Sequence, residues 1–127
     1  MKHLSVQQVL FINSRIIAET GGQTGLLNLA LLESAVERPQ ATFDGKDLYP
    51  DLFEKAAALL DSLVNNHPFV DGNKRTGVTA TAMLLRINNF RLVCSQSELE
   101  VFTLQVATDH PAIAELSAWL KAHCQPV

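Results

Sequence analysis

Between Val78 and Leu85 the chain carries only Val, Thr, Ala, Met and Leu, so a helix there is apolar or small on nearly every side. Such a helix must be wrapped by other elements. Just before it, His67-Pro68-Phe69-Val70-Asp71-Gly72-Asn73 breaks the periodicity, with Pro68 and Gly72 as helix breakers. The expectation is a buried central helix from about Lys74 to Asn88, entered from a polar loop. The chain has 127 residues, 47% of them apolar. That suits one domain, residues 1–127, with a core of its own.

The wrapping elements also read as helices. Ser5 and Gln8 form a capping-box pattern, and Val6, Val9, Leu10, Ile16 and Ile17 then share one face. Gly21-Gly22 stops that helix. Asn28 can cap a second, with Leu31, Leu32, Ala35 and Val36 inward and Pro39 past its end. Pro50 opens a third, running to about Asn66, whose apolar face is Phe53, Ala56, Leu60, Leu63 and Val64. Ser95 with Glu98 caps a fifth (Leu99, Phe102, Val106), and Pro111 is placed in the first turn of a sixth (Ile113, Leu116, Trp119, Leu120). Thr42-Phe43-Asp44-Gly45-Lys46 holds an Asp-Gly turn between short flanks, a hairpin signal. The predicted architecture is all-α, about six helices with one small β-hairpin.

Charge and motif content narrow the function. The net charge is −3 and no basic run occurs, which argues against a nucleic-acid surface. Cys94 and Cys124 form no CxxC pair and no zinc spacing with histidine, and they read as reduced, partly buried thiols. His3, His110 and His123 are scattered without ligand spacing. No signal peptide and no membrane-length apolar run is legible, so a cytoplasmic location is expected. Neither a GxxxxGK[ST] loop nor the HRD and DFG sets of conventional kinases is present.

The chemistry-bearing residue types gather between His67 and Arg75. A helix N-terminus offers unpartnered N–H groups and the positive end of the dipole, so it attracts anions. Gly72 lets the backbone approach a ligand closely, and Asn73 is placed to cap. Lys74 and Arg75 put two cations in the first turn, where the dipole repels them unless an anion is bound. Asp71 is a hard oxygen ligand suited to Mg²⁺. His67 can serve as a general base near neutral pH. Metal ligand, anion cradle, cation clamp and base are the parts of phosphoryl or nucleotidyl transfer.

The segment from His67 to Thr76 resembles the motif HxFx(D/E)(G/A)N(G/K)R of the Fic/Doc family. Gly21-Gly22, Leu32-Glu33-Ser34-Ala35 and Tyr49-Pro50-Asp51-Leu52-Phe53-Glu54 extend the resemblance, on its Doc branch, over nearly the whole chain. The resemblance implies a helical core with a β-hairpin flap. It assigns His67 to the target hydroxyl, Phe69 to anchoring, Asp71 to Mg²⁺, Gly72, Asn73 and Lys74 to the anion cradle, and Arg75 to phosphate. It makes Thr42, Phe43, Asp44, Gly45 and Lys46 a target-docking flap. Adenylyltransferases of the family carry glycine at the position of Lys74 and arginine at that of Val78, and the Doc branch shares both departures. Resembling that branch implies a toxin of a type II toxin–antitoxin system. As a protein kinase it would move the ATP γ-phosphate to a threonine of elongation factor Tu. Its partner would be a Phd-like antitoxin acting in trans. No glutamate of the chain has Ser or Thr four residues before it, so the family's inhibitory motif (S/T)xxxE(G/N) is not met. The alternatives are AMP transfer to a protein hydroxyl and a non-catalytic antitoxin-binding module.

Overall fold

The computed structural model describes all residues, Met1–Val127. Six helices occur: α1 Val6–Thr20, α2 Leu29–Glu37, α3 Leu52–Asn65, α4 Asn73–Ile87, α5 Gln96–Asp109 and α6 Ile113–Ala122. A 3₁₀ turn, Arg38–Gln40, follows α2. Strands β1 Thr42–Phe43 and β2 Lys46–Asp47 pair antiparallel, as do β3 Phe90–Leu92 and β4 Cys124–Pro126.

Four of the six helix starts follow from side-chain caps. The Ser5 hydroxyl accepts the Gln8 N–H while the Gln8 side chain accepts the Ser5 N–H, and Ser95 and Glu98 repeat the arrangement. The Ser95 backbone N–H, then its hydroxyl, hold the Glu98 carboxyl below its ordinary range. Asn28 and Asp51 accept the N–H groups of Leu31 and Glu54. Asp51, not Pro50, is therefore the residue at which the third helix begins. Pro111 lies just outside α6, whose N-cap is Ala112.

The central position belongs to α3. Ten of its residues are buried, including Ala56, Ala57, Leu60, Leu63 and Val64, and α1, α2, α4, α5 and α6 surround the core it anchors. On α4 only one side is buried, through Thr76, Gly77, Ala80, Thr81, Leu84 and Leu85, while Thr79 and Met83 face outward. Small residues at Val78–Leu85 thus mark a close helix–helix seam rather than a helix covered all round. Gly77 makes the seam possible: a Cβ there would stand 2.8 Å from Val64 Cγ2. Gly77→Ala gains about 1 kcal/mol of helix propensity, but overpacking a tight core costs about 1–3 kcal/mol. A net loss of stability is expected in thermal melts, and adding Val64→Ala should recover part of it.

The β1–β2 hairpin turns at Asp44 and Gly45, with φ of 53° and 76°, the double left-handed turn that Asp-Gly favours. Phe43 is 77% exposed at its tip. Its base is fastened to α3, where buried Lys55 donates to Asp47 Oδ2 and to Pro39 O, both at 3.2 Å. Arg38 nearby donates to the Tyr49 hydroxyl, Asp61 and Ser62. The β3–β4 ribbon was not legible beforehand. It draws the C-terminal residues beside Phe90–Leu92 and leaves Cys94 and Cys124 as free, half-buried thiols. Burial pushes both thiols up from their ordinary range.

Candidate active site at the N-terminus of α4

The polar loop from His67 to Gly72 is held to the body by contacts on several sides. Phe69 is buried in the core, and its backbone is clasped by one side chain: Phe69 N–H donates to Asn73 Oδ1 at 3.0 Å, and Asn73 Nδ2 donates to Phe69 O at 2.9 Å. Asn73 is the first residue of α4 and does not cap it. The cap position is Gly72, left-handed at φ 78°, with no side-chain bond to the helix. A second clasp comes from the segment between α1 and α2. Val70 N–H donates to Gly25 O, Leu27 and Asn28 N–H donate to Pro68 O, and Leu26 bridges Phe69. Gln23 N–H donates to Asp71 Oδ2 at 2.8 Å. From α1, Asn13 Nδ2 donates to Asp71 O at 3.0 Å and to Thr76 Oγ1 at 3.1 Å.

The first α4 amide to find a backbone acceptor is Thr76 N–H, on Gly72 O at 2.8 Å. The N–H groups of Gly72, Asn73, Lys74 and Arg75 have no protein acceptor. With the helix dipole behind them they form an anion cradle, and Lys74 and Arg75 lie exposed beside it. His67 stands at the other edge, exposed, at φ 48°, a left-handed conformation that few non-glycine residues adopt. All these residues line one open cleft of about 490 Å³, with Ile17, Thr20, Gly21, Gly22, Val70 and Asp71.

The structure places His67, Asp71, Gly72, Asn73, Lys74 and Arg75 along one cleft. The hairpin residues Thr42–Lys46 do not line this cleft. Three contributors were not foreseen: Asn13, the backbone of Gln23, and the Gly21-Gly22 wall. The one local hint was Asn13 itself, a polar residue on a helix face otherwise made of Val9, Ile12 and Ile17.

Asp71 is the one carboxylate of the cleft, and no cluster of three or more His, Cys, Asp or Glu side chains exists in the molecule. Mg²⁺ bound to nucleotide phosphates needs only one or two carboxylates, and Asp71, with one oxygen steadied by Gln23 N–H, fits that requirement.

A sequence model of the Fic/DOC family matches residues 3–85. Over 72 residues the chain is 53% identical to Toxin Doc of Mycolicibacterium smegmatis, a stretch covering 57% of this chain and 55% of that protein. Over 121 residues it is 28% identical to Protein kinase doc of Escherichia phage P1, covering 95% of this chain and 94% of the phage protein. The chain spans about half the length of the first relative and nearly all of the second. The family match takes in α1 to α3, α4 as far as Leu85 and every residue that lines the cleft, and the chain belongs to the Fic/DOC family.

Proposed function

We propose that this chain is a toxin of a type II toxin–antitoxin system and an ATP-dependent protein kinase of the Fic/Doc type. In this reading it transfers the γ-phosphate to a threonine of a translation factor like elongation factor Tu and so halts translation. The observation that carries the reading is the set of unpartnered N–H groups at Gly72–Arg75, flanked by Lys74 and Arg75 and facing the same cleft as His67. The name Protein kinase doc on a relative aligned over 95% of the chain favours phosphoryl over AMP transfer.

The residues divide the work as follows. The cradle N–H groups and Arg75 bind the phosphates. His67 takes the proton from the target hydroxyl. The hydroxyl oxygen then bonds to the γ-phosphorus as the bond to the β-phosphate oxygen breaks, and ADP leaves. Lys74 offsets the charge on the transferring group. Mg²⁺, held by Asp71 when bound, would neutralise phosphate charge. The hairpin Thr42, Phe43, Asp44, Gly45, Lys46 offers open strand edges on which an extended target segment can pair. A Phd-like antitoxin would restrain the enzyme in trans, in the cytoplasm; the name Toxin Doc on the 53% identical relative supports a partner of this kind.

The test is label transfer to purified elongation factor Tu, run with γ-labelled and α-labelled ATP in parallel. Transfer of the γ label alone is the expected result. Transfer of the α label would make the chain an AMP-transferase in spite of Lys74 and Val78. Transfer of neither, with a wild-type chain shown to be folded, would remove this target.

A further inference from the structure

Asn13 lies outside both the cleft and the His67–Arg75 segment, yet it touches the cradle from behind. It sits in mid-helix on the buried face of α1 and is 4% exposed. A buried amide there is unfavourable unless its hydrogen-bonding groups are used. Both Nδ2 hydrogens are used, one on Asp71 O and one on Thr76 Oγ1. Those two acceptors bracket Gly72, Asn73, Lys74 and Arg75, the four residues whose N–H groups are free.

The bond to Asp71 O also sets a direction. A trans peptide is planar, with its C=O and N–H pointing opposite ways. Pinning the Asp71 carbonyl onto α1 turns the Gly72 N–H away from α1. Gly72 seats directly on this support: a Cβ there would stand 3.4 Å from Asn13 Nδ2 and 3.2 Å from Ile17 Cδ1.

We infer that Asn13 is a positioning residue, whose side-chain amide holds the Asp71–Gly72 peptide so that the cradle N–H groups converge on phosphate. It touches no substrate and acts through the Asp71 carbonyl. This rests on the proposal that the cradle takes the phosphates of ATP.

Four proteins separate positioning from simple core packing: wild type, Asn13→Asp, Asn13→Ala and Thr76→Val. Asn13→Asp keeps the shape but places a carboxylate oxygen against the Asp71 carbonyl. Thr76→Val removes one of the same two hydrogen bonds and leaves the bond to Asp71. Two readouts are taken well below the melting temperature. One is MgATP binding by calorimetry; the other is the NMR order parameters of the Gly72, Asn73 and Lys74 amides, which fall from rigid values near 0.85 towards 0.6 when a backbone loosens. Asn13→Asp is expected to weaken MgATP binding about tenfold or more and to lower those order parameters. Thr76→Val should lower the melting temperature while leaving MgATP binding within twofold of wild type and the order parameters near 0.85. Asn13→Ala gives the same comparison if the aspartate variant does not fold. Unchanged order parameters in both Asn13 variants would overturn the inference, and so would equal effects from Thr76→Val. If the wild type binds no MgATP, the proposed function fails while the order parameters still judge Asn13.

Discussion

Replacing His67 by asparagine is expected to lower phosphate transfer about 10²–10⁴-fold, the usual contribution of a general base, with little change in melting temperature. His67 is exposed and lies at φ 48°, so its backbone needs a residue that tolerates the left-handed region. Asparagine does so better than alanine and cannot accept the proton. The substitution therefore removes the base while leaving the loop, its Phe69 anchor and the cradle in place. Initial rates with γ-labelled ATP, read beside thermal melts, check the prediction. A variant that transfers label at the wild-type rate would show that the hydroxyl proton leaves by another route.

Phe69→Ala is expected to produce the largest loss of stability of any change in the site, about 3–5 kcal/mol. Small domains have only about 5–15 kcal/mol in total, so this is a large part of the whole. The ring is 2% exposed within the 21-residue core cluster. It also fastens the loop from His67 to Gly72, because the Asn73 side chain and the Leu26 bridge bind its backbone. Losing the ring leaves a cavity under the loop and frees His67 and Asp71 to shift. Urea titration should show the midpoint falling at nearly constant slope, and transfer should fall with it even where the variant remains folded. An unmoved midpoint would mean that Phe69 adds no packing energy.

The two substitutions differ in how visible their residues were before the fold was known. His67 and Asp71 to Arg75 lie in one contiguous run, so a single local pattern held the proposed base, metal ligand, cradle and cations. The capping residues Ser5, Asn28 and Ser95 were equally plain, since a cap bonds an amide three residues away. The Asp-Gly turn read correctly for the same reason: both of its central residues take the left-handed conformation that this dipeptide tolerates.

Asn13 and Gln23 were hidden for the opposite reason. They reach Asp71 across 58 and 48 residues of chain, and nothing near them in sequence names their partner. The same separation hid the β3–β4 ribbon, which joins Phe90 to Pro126. It also hid the central place of α3: its apolar residues were legible, but the helix is central only because α2, α4, α5 and α6 all pack against it. Asn73 shows the limit within a single turn. A side chain beside a helix start can cap it or reach back, and here the buried Phe69 backbone offers both a donor and an acceptor.

Local chemistry therefore dictated where α1, α2, α3 and α5 begin, where the hairpin turns and which polar residues enter α4, because each depends on neighbours within about one helical turn. Tertiary packing alone decided how that segment is aimed. A loop has many conformations of similar energy, and the buried Phe69 ring, the backbone bonds from Val70 to Gly25 and from Leu27 and Asn28 to Pro68, and the amides of Asn13 and Gln23 together select the one in which the free N–H groups of α4 and His67 line the same cleft.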